Sequence, residues 1–247
     1  MAWILDLDGV VWLGDEPIPG SADAIERMRA GGDRVLFVSN NSSARVAEYL
    51  AKLARVGVPT ESADLVTSGQ AAATLLEPGL TALVCAGPGV EEALQVRGVH
   101  TVRDGDADAV VVGWHRDFDY EGLTRASTAV IHGARLIGTN DDATYPTPEG
   151  PIPGGGAILA AVATAAGVEP IVAGKPHRPM VDLVRARLGA DLDGSTVVGD
   201  RPSTDGRLAV ALGVRFALVL SGVTNEEDLP VDPEPTEVAA DLASLVR

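Results

Sequence analysis

Two carboxylates stand two residues apart in Asp6-Leu7-Asp8-Gly9, directly after the aliphatic run Trp3-Ile4-Leu5. A hydroxyl and an amide follow in Ser39-Asn40-Asn41, after Arg34-Val35-Leu36-Phe37-Val38. Gly174-Lys175-Pro176 places one of the chain's two lysines (Lys52 is the other) after Ile171-Val172-Ala173. Two more acids, Asp200 and Asp205, lie in Gly199-Asp200-Arg201-Pro202-Ser203-Thr204-Asp205. Together these types suit phosphate-ester hydrolysis through a covalent intermediate. That chemistry needs a carboxylate nucleophile, a second carboxyl to protonate the leaving oxygen, and donors for the phosphoryl oxygens. It also needs positive charge, because two like charges about 4 Å apart repel by about 4 kcal/mol at an effective dielectric of ~20. Clustered carboxylates beside a phosphate are untenable without a lysine and a metal, and an oxygen-only ligand set favours Mg²⁺.

These residues must be held by something. Short aliphatic runs alternate with longer amphipathic stretches, which is the pattern of an α/β fold. Each polar motif ends an aliphatic run, and in an open parallel sheet ligands bind at the carboxyl ends of the strands. Between these strands, Ser21 to Arg29 reads as a helix closed by Gly31-Gly32, and Ser42 or Ser43 as the cap of a helix reaching about Val56. The middle of the chain has its own cycle. Leu83-Val84-Cys85, Ala109 to Val112 and Arg135-Leu136-Ile137 read as strands, with helical stretches at Glu91–Gln95 and Tyr120–His132. Pro and Gly crowd from Pro146 to Gly156, which reads as loop. After Glu226, prolines at 230, 233 and 235 and a helical close from Glu237 suggest a surface wrap.

In order and type, the four motifs resemble those of the haloacid dehalogenase (HAD) superfamily, specifically its NagD-like, p-nitrophenyl-phosphatase branch. Residues 42–174 leave room for that branch's large α/β cap between the second and third motifs. A cap signature is also similar: Thr139-Asn140-Asp141-Asp142-Ala143-Thr144-Tyr145-Pro146, then Pro153-Gly154-Gly155-Gly156-Ala157. Two departures are Ser39, where the family usually has Thr, and Asp141, where Pro is common. The resemblance implies a Rossmann-like parallel-sheet core over residues 1–78 and 171–247, with an inserted smaller α/β cap over 79–170. It further implies that Asp6 attacks phosphorus and that Asp8 acts as general acid and then base, its backbone carbonyl binding the metal. Ser39 and Asn40 would hold phosphoryl oxygens, and Lys175 would neutralise Asp6 and the phosphate. Asp200 would bind Mg²⁺, with Asp205 in its outer shell. Caps of this class often help form dimers, so a homodimer through the cap is a further expectation.

Composition narrows the partners. The formal net charge of −16 over 247 residues repels nucleic acid and anionic membranes. One cysteine excludes an intramolecular disulfide, and Met1 to Asp6 meets acid where a signal peptide would continue apolar, so a cytoplasmic location is expected. Cys85 lies in an aliphatic run and reads as a small buried hydrophobe. His100, His115, His132 and His177 lack metal-ligand spacing, although His177 lies close to Lys175. Trp12 and Trp114 read first as core or hinge packing, with substrate contact as the second reading.

A large cap shuts out macromolecules, so the expected substrate is a small phosphorylated metabolite. The loop from Asn140 to Pro148 is expected to face the leaving group, with Tyr145 as its contact, and with Asn140 either bonding a substrate hydroxyl or holding the loop. Two alternatives remain open at this point. A haloacid-dehalogenase-type hydrolase would not need Asp8, because halide leaves unprotonated. A phosphometabolite-binding protein with little turnover would predict a broken motif, and none is broken.

Overall fold

The computed structural model describes residues 1–147, 150–189 and 192–246. The chain begins in the middle of a six-stranded parallel sheet. Its strands run in the order Glu237–Ala239, Arg215–Val219, Thr196–Gly199, Ala2–Leu5, Arg34–Ser39, Leu65–Thr67. Successive strands first build outward on one side of Ala2–Leu5; the chain returns much later to build the other. The carboxyl end of Ala2–Leu5 is therefore a topological switch point, where the connections diverge and leave a crevice.

A second parallel sheet of five strands is formed between the two halves of the first. Its order is Ile171–Val172, Arg135–Gly138, Ala109–Val112, Thr81–Cys85, His100–Val102. The strand Ile171–Val172 pairs with Arg135–Gly138. The boundary expected at residue 171 therefore falls one strand too early, and Lys175 follows the edge of the second sheet rather than a strand of the first.

Side chains alternate faces along a strand, and both sheets are covered on both sides. Ile4, Leu36, Val38 and Val197 of the first sheet share one apolar cluster with Ala82, Val84, Ala109 and Val111 of the second. Their neighbours Leu5, Val35, Phe37 and Val198 face the other way, onto Ile25, Met28 and Leu53. Leu83, Cys85, Val110 and Val112 pack outward against the helices Tyr120–Ile131 and Gly155–Ala166. Fully burying one Val or Leu contributes about 1.5–3 kcal/mol. The shared cluster thus joins the sheets through packing as well as through the chain.

Several local expectations change. The second helix begins at Val46, with Arg45 at the N-cap position donating its N–H to Glu48 Oε2, while Ser43 turns back onto Asn41 Oδ1. The segment at Glu237 is an edge strand, and the terminal helix is limited to Leu242–Leu245. Within the Pro- and Gly-rich stretch, Ile152–Pro153 pairs with Thr144–Tyr145, and a helix starts at Gly155. Among the described residues no helix is long and apolar enough to cross a membrane.

Candidate active site

Asp6 leaves the first strand with its N–H still donating to Val198 O at 3.0 Å, so its position is set by the sheet. The chain then turns at Gly9, whose φ of 82° favours glycine. A Cβ there would also strike the Asp200 carboxylate, as would one at Gly222. Both glycines let backbone close around Asp200, and Val223 N–H donates to Asp200 Oδ2 at 2.6 Å. A π-helical turn over Pro202–Gly206 brings Asp205 back to the same point, a type of turn frequent at functional sites.

Lys175 is the cation at the centre. Its buried ammonium lies 2.9 Å from Asp6 Oδ1 and 2.7 Å from Asp205 Oδ1. Burial alone would favour the neutral amine, but Asp205 and Asp6 hold it above the usual lysine range. Burial pushes the Asp6 carboxyl well above the ordinary range; Lys175 opposes this and Asp205 and Asp200 add to it. Burial and then Asp205 likewise raise Asp200 from 3.8 to about 7.

One carboxylate oxygen from each of Asp6, Asp200 and Asp205 lies within 4.8 Å of the others. Three acids around one ammonium leave negative charge uncompensated, and their ligand atoms are all oxygen. This donor set fits a hard divalent cation. Asp205 also accepts from Lys175 at 2.7 Å and from Arg201 N–H at 3.2 Å. The Asp8 carboxyl stands outside the acidic cluster. Its Oδ1 accepts from Trp12 Nε1 at 3.1 Å and from Tyr145 Oη at 3.2 Å. Burial raises its pKa, against the opposing pull of Lys52 and of these two donors.

The remaining expected residues reach the crevice with differing freedom. Ser39 lines it, its Oγ accepting from Asn41 N–H at 3.0 Å. Asn40 also lines it, but its amide is committed to protein. Nδ2 donates to Asp142 Oδ2 at 3.0 Å and to Lys175 O at 3.2 Å, and Oδ1 accepts from Lys175 N–H at 2.7 Å. The side chain expected to hold a phosphoryl oxygen thus clasps two loops. Asn140 is likewise occupied, donating to Asn40 O at 2.8 Å and accepting from Asp142 N–H at 3.2 Å, so it holds the loop. Tyr145 lines the crevice and stacks on Trp114 with ring centroids 5.0 Å apart. Pro148, at the end of the loop expected to face the leaving group, lies outside the described residues.

Asp142, Arg201 and Trp114 also line the crevice. Asp142 and Arg201 pair across the crevice at 3.4 Å, and Trp114 is fixed by donation from Nε1 to Pro153 O at 3.0 Å. Asp142 and Arg201 sat inside the quoted motifs, but their pairing is long-range and leaves no local sequence signal. His177 pairs with Asp141 at 3.0 Å and is not among the lining residues. The cavity at this point is about 60 Å³ and opens to solvent on one side.

Comparison with known proteins agrees with this arrangement. Residues 3–100 match the family model described as haloacid dehalogenase-like hydrolase, and residues 172–245 match a HAD-hydrolase-like model. An acid sugar phosphatase of Staphylococcus saprophyticus is 32% identical, covering 100% of this chain and 96% of that protein. The p-nitrophenyl phosphatase of Archaeoglobus fulgidus superposes with a TM-score of 0.91 at 31% identity, over 99% of this chain and 97% of the other. The glycerol phosphate phosphatase of Mycobacterium tuberculosis, in complex with magnesium, gives 0.90 at 35% identity, over 100% and 76%. With motifs, fold and near full-length likeness in agreement, the chain belongs to the haloacid dehalogenase-like hydrolase family, in its NagD-like branch.

Proposed function

We propose that this protein is a Mg²⁺-dependent phosphatase that hydrolyses a small phosphomonoester through an aspartyl phosphate on Asp6. The observation that carries the reading is the Asp6–Lys175 pair at the switch point, with a second carboxyl, Asp8, held two residues on in a separate environment. Asp6 Oδ attacks phosphorus as the bond to the leaving oxygen breaks, and Asp8 gives that oxygen its proton. Water then attacks the phosphorus of the aspartyl phosphate, giving its proton to Asp8; the acyl phosphate P–O bond breaks and inorganic phosphate leaves.

Asp6, Asp200 and the Asp8 carbonyl would hold the ion, with Asp205 behind them. When bound, Mg²⁺ supplies charge that keeps Asp6 ionised and neutralises the phosphoryl oxygens. Lys175 bridges Asp6 and Asp205, which fixes the nucleophile's direction. The roof of second-sheet loops over the crevice supports a small substrate. The sugar phosphatase and glycerol phosphatase relatives support the same class. Asp6→Asn should lower turnover by several orders of magnitude with the fold retained, and acid quenching of wild type should trap a phosphoenzyme that the variant lacks. Wild-type-like turnover in Asp6→Asn would overturn the proposal.

A further inference from the structure

Resting on that reading of Asp8 as the acid, we propose that Trp12 and Tyr145 are positioning residues that fix which Asp8 oxygen carries the proton. Both donors converge on one atom: Trp12 Nε1 lies 3.1 Å and Tyr145 Oη 3.2 Å from Asp8 Oδ1. A carboxyl oxygen that accepts two hydrogen bonds has little room for a proton of its own. The proton is left to Oδ2, and the carboxyl cannot rotate without breaking both bonds.

The two donors come from different parts of the fold. Trp12 is buried in the short hairpin that follows Asp8, and the Lys52 ammonium lies 4.3 Å from its ring centroid. Lys52 is in turn held by Gly14 O at 2.6 Å in the same hairpin. This donor is therefore built into the first sheet's surroundings. Tyr145 arrives from the other side, on the hairpin that leads from the second sheet, with Trp114 stacked against it. The acid is completely oriented only when that hairpin covers the crevice. Coverage of the substrate and readiness of the proton donor thus become one event.

A series of substituted phenyl phosphates tests this, because leaving-group acidity varies while size hardly does. With Mg²⁺ present, Tyr145→Phe should lower kcat/KM for phenyl phosphate by roughly tenfold, and for p-nitrophenyl phosphate several-fold less, steepening the dependence on leaving-group pKa. Trp12→Phe should steepen it similarly; Tyr145→Phe alone decides the matter if the buried tryptophan proves necessary for folding. A uniform loss across the series would make Tyr145 a plain substrate contact and overturn the inference, as would no loss at all. Asp8→Asn separates the two levels of the reading. If Asp8→Asn steepens the dependence and Tyr145→Phe does not, the positioning role alone falls; if Asp8→Asn leaves the slope unchanged, the acid assignment falls with it.

Discussion

The acidic cluster makes an unusual demand on the metal-free protein, and Asp200→Asn isolates it. In the folded protein burial and Asp205 raise Asp200 from 3.8 to about 7. A carboxyl with a raised folded pKa favours the folded state at low pH, and that advantage is lost as pH rises from 3.8 through about 7. The difference between the two values corresponds to about 4 kcal/mol, fully expressed above pH ~7. Asparagine keeps an oxygen for Val223 N–H but carries no charge, so it escapes the loss. In chelator at pH 8, Asp200→Asn should therefore be the more stable protein by about 4 kcal/mol, a rise of roughly 10 °C in Tm for a chain of this size. At pH 5 the gap should be much smaller, and saturating Mg²⁺ should reverse the order by stabilising wild type selectively. Thermal melts of both proteins at the two pH values, with chelator and with Mg²⁺, give all the comparisons. A variant no more stable than wild type in chelator at pH 8 would refute the reasoning.

Two further outcomes follow from other contacts. Asp142→Ala removes the acceptor shared by Asn40 and Arg201, and should raise KM about tenfold, near 1.4 kcal/mol, by loosening the roof of the crevice; unchanged steady-state constants would show that the link is dispensable. Burial pushes the Cys85 thiol up to about 11, so alkylation of the native protein at pH 7.5 should run at least a hundredfold slower than that of an unhindered cysteine. Labelling as fast as a free thiol would contradict this packing.

What could be read in the sequence was what buried parallel strands make visible. Ala2–Leu5, Arg34–Ser39 and Thr196–Gly199 are aliphatic runs because both faces are covered, and the polar residues that interrupt them mark the crevice. Partnership between strands left no such trace. Nothing in the pair Ile171-Val172 says which sheet it joins, and the exposed edge strand Glu237–Ala239 lacks an apolar run altogether. The helix at Gly155 hid behind glycines for a packing reason. A Cβ at Gly154 or Gly156 would strike the backbone of Asp142 or Asp141, and one at Gly155 would crowd Asn140. Those glycines mark close approach rather than a loop. The partners of the Asn40 amide, Asp142 and Lys175, lie more than 100 residues away and leave no local signal either.

The second sheet does more than roof the crevice. Its edge strand Ile171–Val172 precedes Lys175, its strand Arg135–Gly138 leads to Asn140 and Asp142, and its strand Ala109–Val112 leads to Trp114. The first sheet supplies Asp6, Asp8 and Asp200, all acids, and the cation paired with Asp6 comes from the other sheet. Asn40 ties the arrangement together, accepting from Lys175 N–H while donating to Asp142. Any movement that lifts the second sheet away must therefore strain the Lys175 contacts to Asp6 and Asp205, or bend the chain between Val172 and Lys175. Gly174 sits in that short connection, packed so closely that a Cβ would meet Asn40 Oδ1 and Thr139 O. The connection is thus held on both sides, by the Asn40 amide and by the loop after Gly138.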